Sequence, residues 1–422
     1  MELRKFNTIG ENCYFEQLQN GLPVFVVPKP GYSKAFAAFV TSYGGMHQRF
    51  TTDCFHDTPA GIAHYLEHKM FDMKWGNALQ ALSSAGASPN AFTASDITAY
   101  YFTCTEHFTE NLRTLLQFVS TPYFTPESVQ KEQGIIGQEI GMVEDNPDWC
   151  MYQNLLQGLY CHHPLRNSII GTKDSIAQID ADTLYACHKA FYHPGNMVLC
   201  VAGDVDPRQV ISLARMTLTQ DKQAVAQKDY GEPEPAQSNR QEISCQMEVS
   251  APNFILAFKA KPFSAGKEGL RQSILADTAA ELLCGRSSPL YTRLYQEGLI
   301  NKSFSVGTSD YPQAAFLDFG GESSDPGKVR QAILDEAERL ALKIDEERFR
   351  RTLRAEYGAQ VRNLNSFDDI CIQLARGWFK GYHYFDFAEC YESITAKDVS
   401  DFLAQTVRQE TSCLSVVYPK GA

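Results

Sequence analysis

The segment from Gly61 to Phe71 reads GIAHYLEHKMF and decides both the fold and the chemistry that this sequence predicts. It contains the pattern H-x-x-E-H, with His64, Glu67 and His68 at the fixed positions. On a helix, residues four apart leave the same face one turn apart, so both imidazoles can reach one zinc ion. Glu67 lies beside that ion and can act as a base on a water molecule. A helix with two structural histidines is the alternative.

The third zinc ligand has to come from another part of the chain, because a catalytic zinc usually has three protein ligands and one open position. The predicted helix at 126–143 contains the run EQGIIGQE, which begins at Glu132 and ends at Glu139. These two carboxylates leave one helix face two turns apart, beside the apolar Ile136. A carboxylate that is buried there needs a partner, and a metal site would supply one. Ordinary solvated glutamates are the alternative interpretation.

Composition excludes several other classes of protein. The 422 residues carry a net charge of −12 without a basic cluster, which argues against nucleic acid and an anionic membrane surface as partners. The chain has no long apolar run and no secretory signal at its start, so we expect a cytoplasmic protein with no membrane span. The 12 cysteines form no CxxC pair and are predicted to be reduced, mostly buried thiols.

The order of predicted elements indicates an α+β protein with two similar modules. Strands followed by pairs of helices occur before and after a polar stretch rich in Gly, Pro and Gln. Each module is therefore predicted as a mainly antiparallel sheet with helices packed on one face. We expect a zinc-bearing module at 1–220, a linker at 221–244 and a second module without the zinc motif at 245–422. Within the first module, the alternating segment 88–102 is predicted as a strand.

Three motifs together carry a resemblance to a known family. HYLEH at 64–68, NAFT at 90–93 followed by TAYYF, and E-x6-E resemble the pitrilysin/insulinase family of metallopeptidases. The wider match of GIAHYLEHKMF and EQGIIGQEIGM is similar to the bacterial processing-peptidase-like branch. The resemblance is clear over residues 20–207 and weaker beyond, where GRSSPLYTRLYQEGL matches a recurring helix of the family. It implies that the two modules form one half of a clamshell.

The resemblance also implies roles for single residues. It gives His64, His68 and Glu139 as the ligands of one zinc ion per chain, with Glu67 as the general base. Glu132 matches a glutamate that supports the site from behind the ligands, where such carboxylates fix the orientation of a histidine. The implied reaction is peptide-bond hydrolysis, in which zinc activates water and Glu67 transfers its proton to the leaving amine.

Peptide substrates are expected to bind along the NAFT segment. In the family this segment is an edge strand to which the substrate adds as a further strand, and Asn90, Ala91 and Phe92 match the positions near the substrate. Pairing through the backbone would explain a loose sequence preference. An ordinary edge strand that ends in a turn is the alternative.

One departure from the family predicts a partner subunit. Family enzymes use an arginine and a tyrosine, seven residues apart in the half without zinc, to hold the substrate carbonyl. Here Tyr295 stands at the arginine position and Ile300 or Asn301 at the tyrosine position, while the nearby Arg293 has Ile300 seven residues beyond it. We expect a heterodimer with a homologous, zinc-free subunit that supplies the pair. A homodimer that works without the pair, or an alignment shifted by one residue, is the alternative.

Two other functions compete with that of a peptidase acting in an enclosed chamber. The chain could be a catalytically weak zinc-binding scaffold or interaction subunit, although such relatives typically lose part of the zinc site and this sequence keeps all four residues. It could also be a zinc hydrolase for a different bond, against which the NAFT segment argues through the resemblance alone.

Overall fold

The computed structural model describes residues 1–421. Its strands are β1 (Glu2–Phe6), β2 (Glu11–Gln17), β3 (Pro23–Pro28), β4 (Ala35–Thr41), β5 (Arg49–Thr51), β6 (Phe55–Asp57), β7 (Asp72–Met73), β8 (Gly76–Asn77), β9 (Ser88–Thr93), β10 (Thr98–Cys104), β11 (Met197–Gly203), β12 (Gln227–Asp229), β13 (Glu242–Met247), β14 (Asn253–Ala260), β15 (Ser305–Tyr311), β16 (Ala314–Glu322) and β17 (Ser412–Pro419).

Helices alternate with these strands along the chain. They are α1 (Ile62–Met70), α2 (Ala78–Ser84), α3 (Phe108–Ser120), α4 (Pro126–Glu144), α5 (Pro147–Leu159), α6 (Lys173–Ile176), α7 (Ala181–Phe191), α8 (Pro207–Thr217), α9 (Lys267–Cys284), α10 (Pro289–Gln296), α11 (Pro326–Leu342), α12 (Glu346–Asn363), α13 (Phe367–Lys380), α14 (Phe387–Glu392) and α15 (Ala396–Thr406). Among the described residues, no helix has both the length and the apolar character that crossing a membrane requires.

The chain forms two compact units. Unit 1 comprises Met1–Ile140, Ser168–Asp229 and Val361–Phe385. Its main sheet has the strand order β1-β2-β3-β11-β4-β10-β9, in which β3 and β11 are parallel and the other neighbours are antiparallel. Strand β9 is the last strand of this order, so one of its edges has no neighbouring strand within the sheet.

Unit 1 is built around strands that are apolar throughout. Every residue of β4 (AFAAFVT) and β11 (MVLCVAG) is buried, and because alternate side chains point to opposite faces, both faces of the sheet are covered. Helices α3 and α8 pack on each other and on β4 and β3, respectively. Helix α13 packs on β4 and β11, and its Trp378 lies with its ring centroid 5.8 Å from that of Phe25.

Unit 2 comprises Gly141–Asn167, Tyr230–Gln360 and Asp386–Ala422 and repeats this plan. Its sheet has the order β13-β17-β14-β16-β15, again with one parallel pair, β13 and β17, followed by antiparallel neighbours. Helix α5 packs on β17, β14 and β13, whereas α9 packs on β15 and β16. The predicted α+β fold with two similar modules is confirmed, and the central strands of unit 1 carry helices on both faces rather than on one.

The two units exchange helices relative to their order in the sequence. Helix α5 lies within the predicted module 1–220 but packs in unit 2, and α13 lies within the predicted module 245–422 but packs in unit 1. The predicted linker 221–244 contributes strand β12, which pairs with β5, and the first residues of β13. Each compact unit therefore combines segments from both predicted modules, because α5 packs on the sheet of unit 2 and α13 packs on the sheet of unit 1.

The segment 88–102 differs from the sequence-based expectation. It forms two antiparallel strands, β9 and β10, which are joined by a tight turn in which the N–H of Ala94 donates to the carbonyl of Ile97 over 2.8 Å. The alternation of apolar side chains continues on both sides of the turn, so the pattern predicted one strand. The hairpin places β9 at the edge of the sheet.

Candidate metal centre

Helix α1 carries the two histidines into the interior of unit 1. It begins after Gly61, whose φ of 93° is in the left-handed region, and a Cβ there would lie 2.6 Å from the carbonyl oxygen of Ile170. The helix packs on β9 and β10, and the side chains of His64 and Glu67 are both buried. The predicted helix over 61–71 is thus present, and glycine is the residue that fits its start.

Helix α4 brings a carboxylate to both histidines of α1. Oε1 of Glu139 lies 3.6 Å from Nε2 of His64, and Oε2 of Glu139 lies 3.6 Å from Nε2 of His68. One ligand atom from each of these residues can be chosen so that all lie within 4.8 Å of one another, and among residues 1–421 this is the only such group of His, Cys, Asp and Glu. The hydroxyl of Tyr65 donates to the carbonyl of Val129 and holds the two helices at this spacing.

The distances from Glu139 to the two histidines fit ligands that share a divalent ion better than side chains that bond directly to each other. A separation of 3.6 Å between nitrogen and oxygen is too long for a good hydrogen bond. Ligands of a tetrahedral zinc ion, each at about 2.0–2.2 Å from the metal, lie about 3.4 Å from one another. Two imidazoles and one carboxylate are a common ligand set of catalytic zinc sites. The donor set therefore fits zinc.

Glu132 fixes the orientation of the second histidine. Its Oε1 lies 3.0 Å from Nδ1 of His68, so that a proton on Nδ1 bonds to the carboxylate and Nε2 is directed toward Glu139. A carboxylate behind a metal-binding histidine selects the tautomer and raises the basicity of the ligand nitrogen. The structure thus places Glu132 at Nδ1 of His68, while Glu139 lies near Nε2 of the same ring.

Burial and charge set the protonation of the two histidines in different directions. Burial, with a smaller contribution from His68, lowers the pKa of His64 to about 3, so this imidazole is neutral, the form that binds metals. Burial also lowers the pKa of His68, but the hydrogen bond to Glu132 and the charges of Glu67, Glu132 and Glu139 outweigh it and raise the pKa. The surrounding carboxylates thus favour a positive charge at this position.

Glu67 lies near the charges of His68 and Glu139, and it accepts a hydrogen bond from a residue with which the sequence analysis did not pair it. Burial raises its pKa, and the hydrogen bond from Thr93 opposes this effect. The hydroxyl of Thr93 donates to Oε2 of Glu67 over 2.6 Å. Thr93 is the last residue of the NAFT motif, so the motif contained the signal, but only the fold shows which side chain it reaches.

The NAFT segment forms the outermost strand of the sheet. Asn90 is exposed, and Ala91 and Phe92 are half-buried on β9. The N–H of Ala91 bonds to the side-chain oxygen of Asn90 over 2.9 Å, and Pro89 has no N–H to offer. Among residues 1–421, no strand pairs with the outer edge of β9, and Pro89 and Ala91 offer no free N–H there.

The segment that matches the family's arginine and tyrosine positions begins in α10, which ends at Gln296, and continues beyond it. The side chain of Tyr295 is 44% exposed, whereas Ile300 is buried and cannot reach a ligand. Asn301 is exposed, and its side-chain nitrogen donates to Glu322 over 2.5 Å. None of these three residues is an arginine. Tyr295 stands at the arginine position, and no tyrosine stands at the tyrosine position.

Comparison with known proteins agrees with this geometry. The family model described as Insulinase (Peptidase family M16) matches residues 54–173, and the model described as Peptidase M16 inactive domain matches residues 178–356. A Bacillus subtilis (strain 168) protein called Uncharacterized zinc protease YmfH is 36% identical over 426 residues, which cover 99% of each chain.

Solved structures show the same fold. The crystal structure of a putative M16-like peptidase from Alicyclobacillus acidocaldarius matches with a TM-score of 0.92 and 30% identity, over 97% of this chain and 99% of the other. Pitrilysin matches in fold, with a TM-score of 0.78 and 18% identity, over 99% of this chain and 45% of its own. This chain belongs to the M16 (pitrilysin/insulinase) family of peptidases.

Proposed function

We propose that this chain is a zinc-dependent endopeptidase or oligopeptidase whose zinc ion is held by His64, His68 and Glu139. The observation that carries the proposal is the convergence of two imidazoles and a carboxylate from α1 and α4. The relatives named zinc proteases and the membership of the M16 family support the same function. Zinc, when bound, would supply Lewis acidity toward water and toward the carbonyl of the scissile peptide bond.

Glu67 is the general base of this proposal. Its carboxyl is buried, and the charges of the nearby His68 and Glu139 also affect its pKa. A carboxylate with a raised pKa takes a proton from the attacking water more readily than a solvated one. In the following step it returns that proton to the leaving amine, so the residue ends the cycle in its starting state.

Peptide recognition is assigned to β9. An extended substrate would pair with the free edge of this strand beside Asn90, Ala91 and Phe92, with backbone hydrogen bonds supplying most of the affinity. Because Thr93 at the end of β9 bonds to Glu67, a peptide on this edge would lie close to the base. A substrate on β9 and the base on α1 would then lie on either side of the hydrogen bond from Thr93 to Glu67.

A heterodimer with a zinc-free homologue is the proposed active form. Its support is the segment that begins at the end of α10, where Tyr295 and the buried Ile300 stand at the positions of the family's arginine and tyrosine. Peptidase assays of the purified chain, alone and mixed with a candidate homologue that has the pair, test this proposal. Full activity of the chain alone would exclude the heterodimer and favour the homodimer.

The decisive experiment separates zinc binding from turnover. The purified protein is expected to contain one zinc ion per chain by elemental analysis and to cleave a quenched fluorescent peptide in a chelator-sensitive manner, assayed with its partner subunit if one is required. Glu67→Gln should keep the zinc and lose activity by a factor of about 10²–10⁴. Glu127→Gln, an exposed residue in the first turn of α4, is the matched control and should change neither. Zinc without cleavage in either assembly would support the scaffold function instead.

A further inference from the structure

Two cysteines in unit 2 lie side by side without being bonded. Cys150 is on α5, Cys245 is on β13, and their sulfur atoms are 3.6 Å apart. Both side chains are half-buried, and both are free thiols. The side-chain nitrogen of Asn154, one turn after Cys150, lies 3.7 Å from one sulfur and 3.8 Å from the other. The pair thus shares one hydrogen-bond donor.

The approach of the two sulfur atoms is fixed by the packing of α5 on its sheet. Near the start of the helix, the hydroxyl of Ser415 on β17 donates to the carbonyl of Met151 over 2.8 Å. Near its end, the N–H of Arg240 donates to the carbonyl of Gly158 over 2.8 Å. A Cβ at Gly158 would lie 2.3 Å from the sulfur of Cys413, so glycine permits this close approach. Both ends of α5 are therefore held in place.

We propose that Cys150 and Cys245 form a redox-modification site that closes to a disulfide when a hydroperoxide is present. Closure brings the sulfur atoms from 3.6 Å to a bond of about 2.05 Å, a shortening of about 1.5 Å. Disulfides are rare in cytosolic proteins, and those that occur there are usually transient. The site is independent of the zinc site and of the proposed peptidase activity.

The reaction proceeds in two balanced steps. The thiolate of one cysteine of the pair attacks one oxygen of hydrogen peroxide, the O–O bond breaks, and hydroxide leaves, so that this cysteine becomes a sulfenic acid. The thiol of the other cysteine then attacks that sulfur, the S–O bond breaks, and water leaves with the thiol proton.

The disulfide would bind α5 covalently to β13. Helix α5 reaches the sheet of unit 2 from a part of the chain that precedes most of that unit, and the new bond would close the chain between residues 150 and 245 into a loop. A cross-link across so long a loop restricts the unfolded chain strongly. The oxidised protein should therefore unfold at a higher temperature than the reduced protein.

Peptide mapping of the full-length protein tests the proposal. After treatment with a small excess of hydrogen peroxide and alkylation of the remaining thiols, the peptides that contain Cys150 and Cys245 should appear as one cross-linked species, two hydrogen atoms lighter than their sum. Dithiothreitol should reverse the cross-link, and the Tm should fall by several degrees on reduction.

Two variants give the control and the contrary outcome. Cys245→Ser should abolish the cross-link and the difference in Tm, whereas Cys161→Ser should preserve both, because Cys161 bonds to Asn239 and lies outside the pair. If Cys150 and Cys245 stay equally alkylated before and after peroxide, or if either pairs with another cysteine, the proposal is overturned.

Discussion

Thr93, the last residue of β9, donates a hydrogen bond of 2.6 Å to Oε2 of Glu67 on α1. Unit 2 repeats this arrangement, because Thr308 on β15 donates to Asp277 on α9. Strand β15 is the outermost strand of its sheet, as β9 is of the other. In both units an edge-strand hydroxyl thus orients a carboxylate on the adjacent helix, and in unit 1 that carboxylate is the proposed base.

Replacing Thr93 with valine should slow turnover without removing zinc. Valine has the shape of threonine but cannot donate to Glu67, and a hydrogen bond to a charged group contributes about 1.5–3 kcal/mol. We expect kcat to fall about tenfold or more, with little change in zinc content. Thr93→Ser keeps the hydroxyl and should recover most of kcat. Equal activities of the valine and serine variants would show that the bond has no role in catalysis.

Removing the carboxyl group of Glu132 should weaken zinc binding. Glu132→Ala leaves Nδ1 of His68 without its partner at 3.0 Å, and loss of such a partner typically costs a factor of about 10–100 in metal affinity. Competition with a chromogenic chelator measures this affinity. Glu127→Ala on the exposed side of the same helix is the control and should bind zinc as the parent protein does.

A buried ion pair in unit 2 should be important for stability. Nζ of Lys259 lies 2.8 Å from Glu234 and also donates to the carbonyl of Leu159 over 3.0 Å, with 5% of the lysine side chain exposed. Lys259→Met leaves the carboxylate buried without its partner and should lower the free energy of unfolding by about 3–5 kcal/mol. Chemical denaturation measures the change. Lys261→Met, at an exposed position two residues later, should be close to neutral.

Stability should fall as the pH rises through about 6. Burial raises the pKa of both Asp277 and Asp318 to about 6, so their contribution is full below the unfolded value near 4 and is lost above the folded value. Asp277→Asn should therefore raise the Tm more at pH 8 than at pH 5, by an amount equivalent to about 1.4 kcal/mol. Asp335→Asn, on the exposed side of α11, is the control and should change the Tm little at either pH, as surface substitutions usually do. An equal effect of Asp277→Asn at both pH values would contradict the prediction.

Local patterns predicted the parts of the site that lie within single helices. The spacing of His64 and His68 is a property of one helical turn, and the structure places both beside Glu139. The hydrogen bond of Thr93 to Glu67 joins residues on different elements, and no periodicity encodes it. Sequence alone can name such a residue but cannot assign it a partner.

The fold shows the same limit. The helix predicted at 126–143 spans Pro126–Glu144, because a helical period is a property of adjacent residues. The turn between β9 and β10 was missed, and so was the contact of Cys150 with Cys245, since residues 95 positions apart meet only through packing. Long-range packing also decides the unit to which α5 and α13 belong.

The exchange of α5 and α13 has a consequence for the order in which the nascent chain can fold. Residues 367–380, which cover β4 and β11 in unit 1, leave the ribosome long after both of these strands. Until then an apolar surface on the earlier-made sheet stays exposed to the cell. We therefore expect newly synthesised chains to depend on molecular chaperones, and truncated products of translation to aggregate rather than to accumulate as a folded zinc-binding half.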